Sequence, residues 1–592
     1  MRHVLKLFIL GLLLSVVSVR AQDDAGGRGV IREGAAGADE IDTFNPLACQ
    51  NVSCGRVVGL LFPSLIGVDL EARTYAPGGF GGIAESWTFD LDTIDLEQPT
   101  LTVQIATDQT WSDGTPISAY DVYFTYLALT TGVLSSPYAE NMRATFSAAT
   151  VLDERTISYV LRDPNCDVLA AVDTLIMPAH IYDANFRDRV DGLGDNLADR
   201  YVRDALWQAI TGGVSSDTFF ARHPSSREPR VTASPYGLRY DDLNSSDSVR
   251  LLHENGTLAY EYVDVPSPDD SVDLFLQGDL NIIVNPLFLR RDDIRAAAER
   301  GEVELLETTG NTWYSVVFNL ADAREPQSAF GEDGEALDQG YHIAFGDIRV
   351  RQAFQLGLDV AAIIDAALNG NGTIMPANQT PTSWAYNPSL APISTNPAQS
   401  ARLLTEAGWV DEDGDGVREC YGCLYAPEGT SLQISLLYPD STQASIVASL
   451  MRQQLSRLGI SLNLQAGDTS FTDVQNFDAA LIISVENYPV EPDQFNRFAR
   501  AGDFLYDGEN IGSYVNTDVE NLLYQARTVA DCEANVRADL YRQAQTLIQA
   551  DYPYAWLFVV DQMIAARSSI DNFDPRWQVP YWNVGEWVVI QR

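Results

Sequence analysis

An acidic turn in the final third of the chain has the side-chain spacing of a calcium loop. Carboxylates at Asp411, Asp413 and Asp415 alternate around glycines, and the backbone carbonyl of Val417 follows them. Calcium prefers such oxygen ligands, and loops of this kind need a glycine for their sharp turn. The twelfth position, where a bidentate glutamate usually stands, is Gly422, so the ligand set is incomplete. The pattern therefore has two interpretations, a loop that binds a structural calcium ion and a simple solvated turn.

No other group of residues has the spacing of a catalytic site. A Ser-His-Asp order, a glycine-rich phosphate loop and a histidine-carboxylate metal pair are all missing around the five histidines, which are His3, His180, His223, His253 and His342. We therefore expect no enzyme activity and no cofactor apart from the possible calcium ion. Because carboxylates are abundant, a secreted acidic hydrolase is kept as the alternative from a different functional class.

The charge of the chain limits its partners. The 592 residues include 82 acidic and 38 basic side chains, which gives a formal net charge of −44. Such a charge repels phosphate backbones and anionic lipid surfaces, so nucleic acid is excluded as a partner. A chain of this length is expected to divide into two or three lobes rather than to bury a single core.

The first residues have the three parts of an export signal. Arg2 and Lys6 precede an apolar run at 7–19, and small residues follow that suit cleavage before Gln22. We therefore predict a signal peptide at 1–21 and a protein that is exported to the periplasm or the cell exterior. The next segment, 22–40, is rich in glycine, alanine and charge without periodicity, which predicts a flexible leader.

The six cysteines form an even set, which in an exported chain favours disulfides. Cys49 with Cys54 and Cys420 with Cys423 are close enough in sequence to pair locally, and Cys166 and Cys532 are left for each other. Sequence alone does not fix this connectivity. A zinc site with four thiolates from the two local pairs is the alternative.

Residues 432–464 have a β–α–β pattern. A strand at 432–438, a helical period at 444–458 that ends at Gly459, and a second strand at 460–464 predict parallel neighbours joined by a crossover. Another apolar strand is predicted at 480–485. The fold class is therefore α/β, and in open sheets of this type ligands gather beyond the carboxyl ends of the strands.

Two motifs resemble those of a known family. Residues 111–126 read Trp-Ser-Asp-Gly-Thr-Pro followed by a helix, and 347–359 begin with Asp-Ile-Arg-Val-Arg-Gln-Ala-Phe and end with Gly-Leu-Asp. They resemble the signatures of the family 5 extracytoplasmic solute-binding proteins, the peptide-binding components of ABC importers. In the second motif, Asp347 and Asp359 are typical N-caps of two successive helices, and Ile348 is expected to make apolar contacts.

The resemblance implies a two-lobed fold of the periplasmic-binding-protein kind with a hinge. Lobe 1 is expected at 41–308, with an extra subdomain at roughly 76–229. Lobe 2 is expected at 309–552, and 553–592 return to lobe 1. The ligand would then bind between the lobes.

The resemblance also indicates ligand-binding residues. In peptide-binding relatives the segment that matches 477–488 runs through a strand to a tryptophan and then to an aspartate that pairs with the peptide amino terminus. Here the tryptophan position is Ser484, and the aspartate falls at Asn487 or, with a slip of one residue, at Glu486. Asn487 suits a neutral or polyhydroxylated ligand, whereas Glu486 would restore the charge. Further candidates near the predicted crevice are Trp313, Asn319, Trp384 and Tyr386.

The function that the resemblance implies is capture of a peptide or oligopeptide and its delivery to a membrane permease. An oligosaccharide is the second ligand class. The expected partners are thus a small ligand and the permease of an ABC transporter, and the binding protein itself is expected to be a monomer.

Overall fold

A computed structural model describes residues 29–36, 41, 43–49, 51–91, 98–136, 138–241, 248–254, 256, 258–467, 472–576 and 579–590. The predicted signal peptide and the first part of the predicted leader lie outside these residues. The apolar side chains of the described residues form separate cores in two lobes. Among the described helices, none is both long enough and apolar enough to cross a bilayer.

The first lobe is built mostly from the first half of the chain. Its elements, in chain order, are β1 (Gly29–Ala36), α1 (Val52–Leu61), β2 (Val68–Asp69), β3 (Thr74–Tyr75), β4 (Ala84–Asp90), β5 (Thr100–Ile105), α2 (Ala119–Thr130), α3 (Ala139–Thr145), β6 (Phe146–Asp153), β7 (Thr156–Leu161), α4 (Val168–Val172), α5 (Ala179–Tyr182), α6 (Phe186–Leu193), α7 (Arg200–Thr211), α8 (Ser216–Arg222), β8 (Leu238–Tyr240), β9 (Ser248–His253), β10 (Leu258–Val265), α9 (Pro268–Gln277), β11 (Ile282–Val284) and α10 (Arg291–Glu299).

The second lobe and the chain's return to the first lobe follow. Their elements are β12 (Val303–Phe318), α11 (Ile348–Leu356), α12 (Val360–Leu368), β13 (Gly372–Ile374), α13 (Pro397–Glu406), β14 (Trp409–Val410), β15 (Glu419–Cys420), β16 (Gln433–Tyr438), α14 (Thr442–Ser456), β17 (Ser461–Ala466), β18 (Ala479–Val485), α15 (Phe495–Phe498), α16 (Thr517–Arg527), α17 (Ala534–Asp551), β19 (Tyr554–Arg567), β20 (Ile570–Asp571) and β21 (Val588–Val589).

One large sheet runs through both lobes, in the order β17, β16, β18, β12, β19, β11, β1, β10, β9 and β8, with β13 beside β19. The predicted β–α–β unit is confirmed, because β16 and β17 pair in parallel and α14 connects them. A smaller antiparallel sheet in the first lobe has the order β4, β5, β7, β6. The α/β class expected from the sequence therefore agrees with the structure.

The two signature motifs form buried helices with defined starts. Helix α2 begins with a capping box between Ser118 and Asp121. Asp347 and Asp359 cap α11 and α12 by accepting from the backbone N–H groups of Arg349 and Ala362, as predicted. Ile348, by contrast, is 36% exposed, so the expectation that it supplies apolar contacts is wrong. It stands at the first position of α11, where the side chain points to solvent.

The expectation of a flexible leader is wrong for residues 29–36. They form β1, which pairs in parallel with β10 and lies beside β11 inside the large sheet. Ile31 is fully buried, and Glu33 is buried among Tyr260, Tyr581 and Arg56, each of which contacts its carboxylate. The glycine- and alanine-rich sequence does not indicate this strand, because its partner strand β10 lies more than two hundred residues away in the chain.

All three predicted disulfides are present, namely Cys49–Cys54, Cys166–Cys532 and Cys420–Cys423. The thiols are thus used in pairs, and the alternative of a four-thiolate zinc site is excluded in this structure. Two bonds are local within a lobe. The third, between Cys166 and Cys532, joins the first lobe to the second.

Candidate ligand-binding cleft

Two long strands carry the chain between the lobes. β12 and β19 pair with each other on both sides of a register shift between Thr309 and Trp313. At this shift Gly310 packs so closely on β19 that a Cβ would lie 2.6 Å from the carbonyl oxygen of Val560. Glycine is therefore required where the strands change lobes, and this point is the natural position of the hinge.

An inner cavity of about 360 Å³ lies next to the hinge. The first lobe contributes Arg56 and Tyr581, the crossing region contributes Asn311 and Gln562, and the second lobe contributes Tyr488. Desolvation by burial raises the pKa of the Tyr488 hydroxyl to about 12. This hydroxyl is therefore a neutral hydrogen-bonding group at physiological pH.

Beyond the inner cavity the lobes touch directly. Arg73 of the first lobe donates from Nη1 to the carbonyl oxygen of Pro381 in the second lobe, at 3.4 Å. Tyr75 of the first lobe interacts with Asp173 of its own lobe and with Glu491 of the second lobe. Burial, and then these two carboxyls, raise the pKa of the Tyr75 hydroxyl well above its ordinary value. Polar and ionisable groups from both lobes thus meet in the cleft.

Buried carboxyl groups line the second-lobe side of this contact. Glu491 Oε1 lies 2.5 Å from Arg537 Nη2, and Asp493 Oδ2 lies 3.1 Å from Arg527 Nε. Burial raises the pKa of Glu491 to about 7, although Arg537 opposes the shift. Burial also raises the pKa of Asp493, with Arg527 acting in the opposite direction. These carboxyls are therefore held in the cleft by arginines at a cost in desolvation.

An outer cavity of about 700 Å³ lies between the subdomain and the second lobe. The first lobe supplies the wall at 141–170, and the second lobe supplies the wall at 493–527. The side chains with ionisable or aromatic groups are Arg162, Asp163, Asp167, Asp493, Phe495, Glu509, Tyr524 and Arg527. Acidic groups outnumber basic groups here, and the volume is in the range of small-molecule sites.

Asp167 stands out among the residues of the outer cavity. It occupies the N-cap position of α4, yet its side chain makes no capping hydrogen bond. Its Oδ1 atom is buried and has no hydrogen-bond partner among the described residues. Because buried carboxylate oxygens are normally paired, this oxygen has unused hydrogen-bonding capacity in a residue that lines the cavity.

The structure brings two of the predicted ligand-binding residues together. Trp313 on β12 is buried, and its Nε1 donates to Glu486 Oε1 at 2.8 Å just beyond the end of β18. Asn311, which lines the inner cavity, accepts from the backbone N–H of Glu486 at 3.0 Å through its own carbonyl. Asn487 is exposed at the same strand end. Contact of Glu486 and Asn487 with a ligand stays a prediction.

Trp384 and Tyr386 lie on the second lobe, against α17. The Arg537 guanidinium lies 5.3 Å from the Trp384 ring centroid, and Arg542 Nε donates to the carbonyl oxygen of Tyr386 at 3.2 Å. Both aromatic side chains are partly buried, and Pro381, just before them, touches the first lobe. Their use in stacking on a ligand also stays a prediction.

Asn319 is not available to a ligand, so the expectation for it is corrected. Its side chain is fully buried, and its Nδ2 donates to the carbonyls of Gln475 and Phe477 at 2.9 and 3.0 Å. Its Oδ1 accepts from the backbone N–H of Ala321. The amide therefore fixes the chain at the end of β12 within the second lobe.

The residues that sequence reasoning missed are Asp167, Glu491 and Asp493. The pattern at the end of β18 drew attention to positions 484–487, whereas the buried carboxyls follow a few residues later. A signal was present in the segment Glu491-Pro492-Asp493, since two acidic residues around a proline cannot continue a strand. For Asp167 the signal was its place directly after Cys166.

The acidic turn forms a compact loop in the second lobe. Asp411 accepts from the backbone N–H groups of Gly414 and Gly416, and Asp415 accepts from that of Val417. Carboxylate oxygens of Asp411, Asp413 and Glu419 lie within 4.8 Å of one another, and Asp415 is outside this group. Desolvation and then the neighbouring carboxylates raise the pKa of Glu419. Calcium binding by this loop stays a prediction, with Glu419 as a ligand that the sequence reasoning did not include.

A calcium titration tests this prediction. Calcium at about 1 mM, which suits extracellular sites, is expected to raise the melting temperature of the native chain by binding only the folded form. The Asp411→Asn/Asp413→Asn variant is expected to lose this shift, and magnesium is the matched control ion. An equal shift in the variant would assign the effect to general screening of the acidic surface.

Comparisons with known proteins agree with this architecture. Residues 258–505 match the family described as bacterial extracellular solute-binding proteins, family 5 Middle. The oligopeptide-binding protein AppA of Bacillus subtilis is 24% identical over 249 residues, which is 41% of this chain and 44% of AppA. The chain thus matches less than half the length of this relative in sequence.

The fold matches over a much longer range. The structure of AppA from Bacillus subtilis in complex with a nonapeptide superposes with a TM-score of 0.60 at 18% identity, covering 95% of this chain and 99% of AppA. HbpA2 from Haemophilus parasuis gives a TM-score of 0.68 at 16% identity, covering 93% of this chain and 98% of HbpA2. The chain therefore has the two-lobed α/β fold of these proteins, and its segment 258–505 is similar to the family 5 extracellular solute-binding proteins.

Proposed function

We propose that the protein is exported, captures peptides between its two lobes and delivers them unaltered to the membrane permease of an ABC importer. The support comes from the hinge at the crossing strands, from cavities lined by both lobes, and from relatives named as peptide-binding proteins. Binding would favour a closed arrangement, because a ligand that touches both lobes interacts more strongly with it than with an open one.

The outer cavity carries the proposal. Its two walls come from different lobes, and its carboxyl groups suit the ammonium group that every unmodified peptide carries at its amino terminus. Asp167 supplies a carboxylate oxygen that has no hydrogen-bond partner within the described ranges, whereas Asp493 is already engaged by Arg527. We therefore assign Asp167 as the acceptor for the ligand cation.

Replacing Asp167 tests this assignment. The Asp167→Asn variant keeps the shape of the side chain but removes its charge. Because hydrogen bonds to charged groups contribute about 1.5–3 kcal/mol, peptide affinity is expected to fall roughly 10- to 100-fold. Isothermal titration calorimetry with the peptides recovered as described below measures this loss.

The matched control is Asp163→Asn, which removes the same charge from an exposed residue that lines the same cavity. A change below about threefold is expected, since an exposed charge acts mainly through a screened field. Equal losses in both variants would show that the cavity attracts cations only through its overall charge, and no loss in either would place the ligand elsewhere.

Mass spectrometry of what the purified protein releases on denaturation tests the ligand class. A mixture of unmodified peptides is expected. A released glycan would support the oligosaccharide alternative instead. Cleavage of added peptides by the purified protein would support the hydrolase alternative.

A further inference from the structure

The Cys166–Cys532 disulfide joins two parts of the chain that the fold otherwise keeps in separate lobes. Cys166 directly precedes Asp167, the N-cap residue of α4 in the first lobe, and Cys532 ends a short turn, Ala530–Cys532, between α16 and α17 of the second lobe. The two cysteines are 366 residues apart in sequence, whereas the partners in the other two disulfides are 5 and 3 residues apart. Only this bond among the three acts between lobes.

The bond stands at the edge of the outer cavity. Asn165 and Asp167, on either side of Cys166, line the first-lobe wall, and Arg527 lines the second-lobe wall. The backbone N–H of Cys166 donates to the carbonyl oxygen of Arg527 at 2.8 Å, so a hydrogen bond reinforces the covalent link. Cys166 is 1% exposed. The two walls are therefore fixed to each other at this point.

The disulfide restricts the opening of the lobes because the other two covalent connections between them lie at the hinge. The crossing strands β12 and β19 meet at the hinge, and no residue of either strand lines the outer cavity. Two adjacent strands permit the lobes to rotate apart. A third covalent link at another part of the cleft prevents separation there, because its Cα atoms are held 5.4 Å apart.

The turn that carries Cys532 shows how this end is held. Asp531 and Cys532 have φ values of 56° and 51°, so two successive non-glycine residues lie in the left-handed region. Non-glycine residues adopt this conformation rarely, and they keep it where the surrounding structure fixes them. The disulfide provides this fixation, and without it the turn is expected to relax.

We propose that the Cys166–Cys532 disulfide is a covalent clasp across the interlobe cleft, which limits how far the lobes open and keeps the two walls of the outer cavity in register. The proposal takes the opening motion from the proposed function. With the clasp closed, the lobes can move apart only at the parts of the cleft away from the outer cavity. The ligand site is thereby preorganised, which reduces the entropic cost of binding.

The Cys166→Ser/Cys532→Ser variant tests the clasp in the full chain without ligand. Small-angle X-ray scattering is expected to show a larger radius of gyration than in the native protein, and hydrogen exchange is expected to increase in 162–170 and 524–533. The control is Cys49→Ser/Cys54→Ser, which removes a disulfide within the first lobe and should leave the radius of gyration unchanged. An unchanged radius and unchanged exchange in the clasp variant would overturn the proposal.

A second measurement covers the case in which the clasp variant does not fold. A dithiol reductant transfers two electrons and two protons to each disulfide that it reduces, which gives two thiols while one reductant molecule closes to its own cyclic disulfide. The reduced native protein, with its secondary structure checked by circular dichroism, is expected to expand as the variant would. If the reduced protein does not expand, the proposal of a clasp is overturned, but the proposal of peptide capture is unaffected. If the reduced protein expands and the native protein retains no peptide, the clasp is supported and the proposed function is overturned.

Discussion

Replacing Arg537 with methionine is expected to lower the free energy of unfolding by about 3–5 kcal/mol, because it leaves a buried carboxylate without its partner. The Arg537 side chain is 6% exposed and that of Glu491 is 12% exposed. The same guanidinium also donates from Nε to the carbonyl oxygen of Ala526 at 3.1 Å and packs on Trp384. Urea unfolding of the native and variant proteins measures the difference.

The matched control is Arg402→Met on the surface of α13. Arg402 and its partner Glu406 have side chains that are 63% and 53% exposed, so the same loss of charge should cost less than about 1 kcal/mol. Replacing both partners of the buried pair, as Arg537→Met/Glu491→Leu, should recover part of the loss. Equal effects at Arg537 and Arg402 would contradict the burial of the pair.

Stability is expected to fall as the pH rises from about 5 to about 7 and then to level off. Burial raises the pKa of Glu491 from an ordinary 4.5 to about 7, and that of Asp173 from 3.8 to about 7. Between these values the folded protein holds protons that the unfolded chain has released, so increasing pH favours unfolding. For Glu491 alone the effect is about 2–3 kcal/mol, since one pH unit corresponds to about 1.4 kcal/mol.

Urea unfolding at several pH values, with and without Glu491→Gln, measures this effect. The variant cannot ionise at this position and should show a flatter profile, whereas Glu406→Gln on the surface should not. Other carboxyls whose pKa values burial raises act in the same direction, namely Asp121, Asp493, Asp503 and Asp561. A stability that increases with pH over this range would contradict burial as the dominant influence on the pKa values of these carboxyls.

Local features of the fold were predictable because short-range rules govern them. The caps at Asp347 and Asp359 follow from side chains that reach backbone groups two or three residues away. The β–α–β unit at 433–466 follows from periodicity within one continuous segment. Two disulfides were predictable because their cysteines are close to each other in sequence. The third consists of the two cysteines that remained.

Features that depend on distant segments were not predictable. β1 was missed because a glycine- and alanine-rich segment becomes a strand only through its pairing with β10 and β11. The outer cavity was missed for the same reason, since 141–170 and 493–527 meet only after the lobes are assembled. The predicted aspartate position led to Glu486 and Asn487 near the inner cavity, while the buried carboxyls Glu491 and Asp493 lie further along the chain.

The most direct test of peptide capture is to incubate the native protein with a mixed peptide library, remove unbound peptides by gel filtration, and identify those that denaturation releases. We expect peptides to be retained with unchanged masses, and Asp167→Asn to retain markedly fewer of them than Asp163→Asn. Retention of no peptides above a buffer control, or recovery of cleaved fragments, would contradict this expectation.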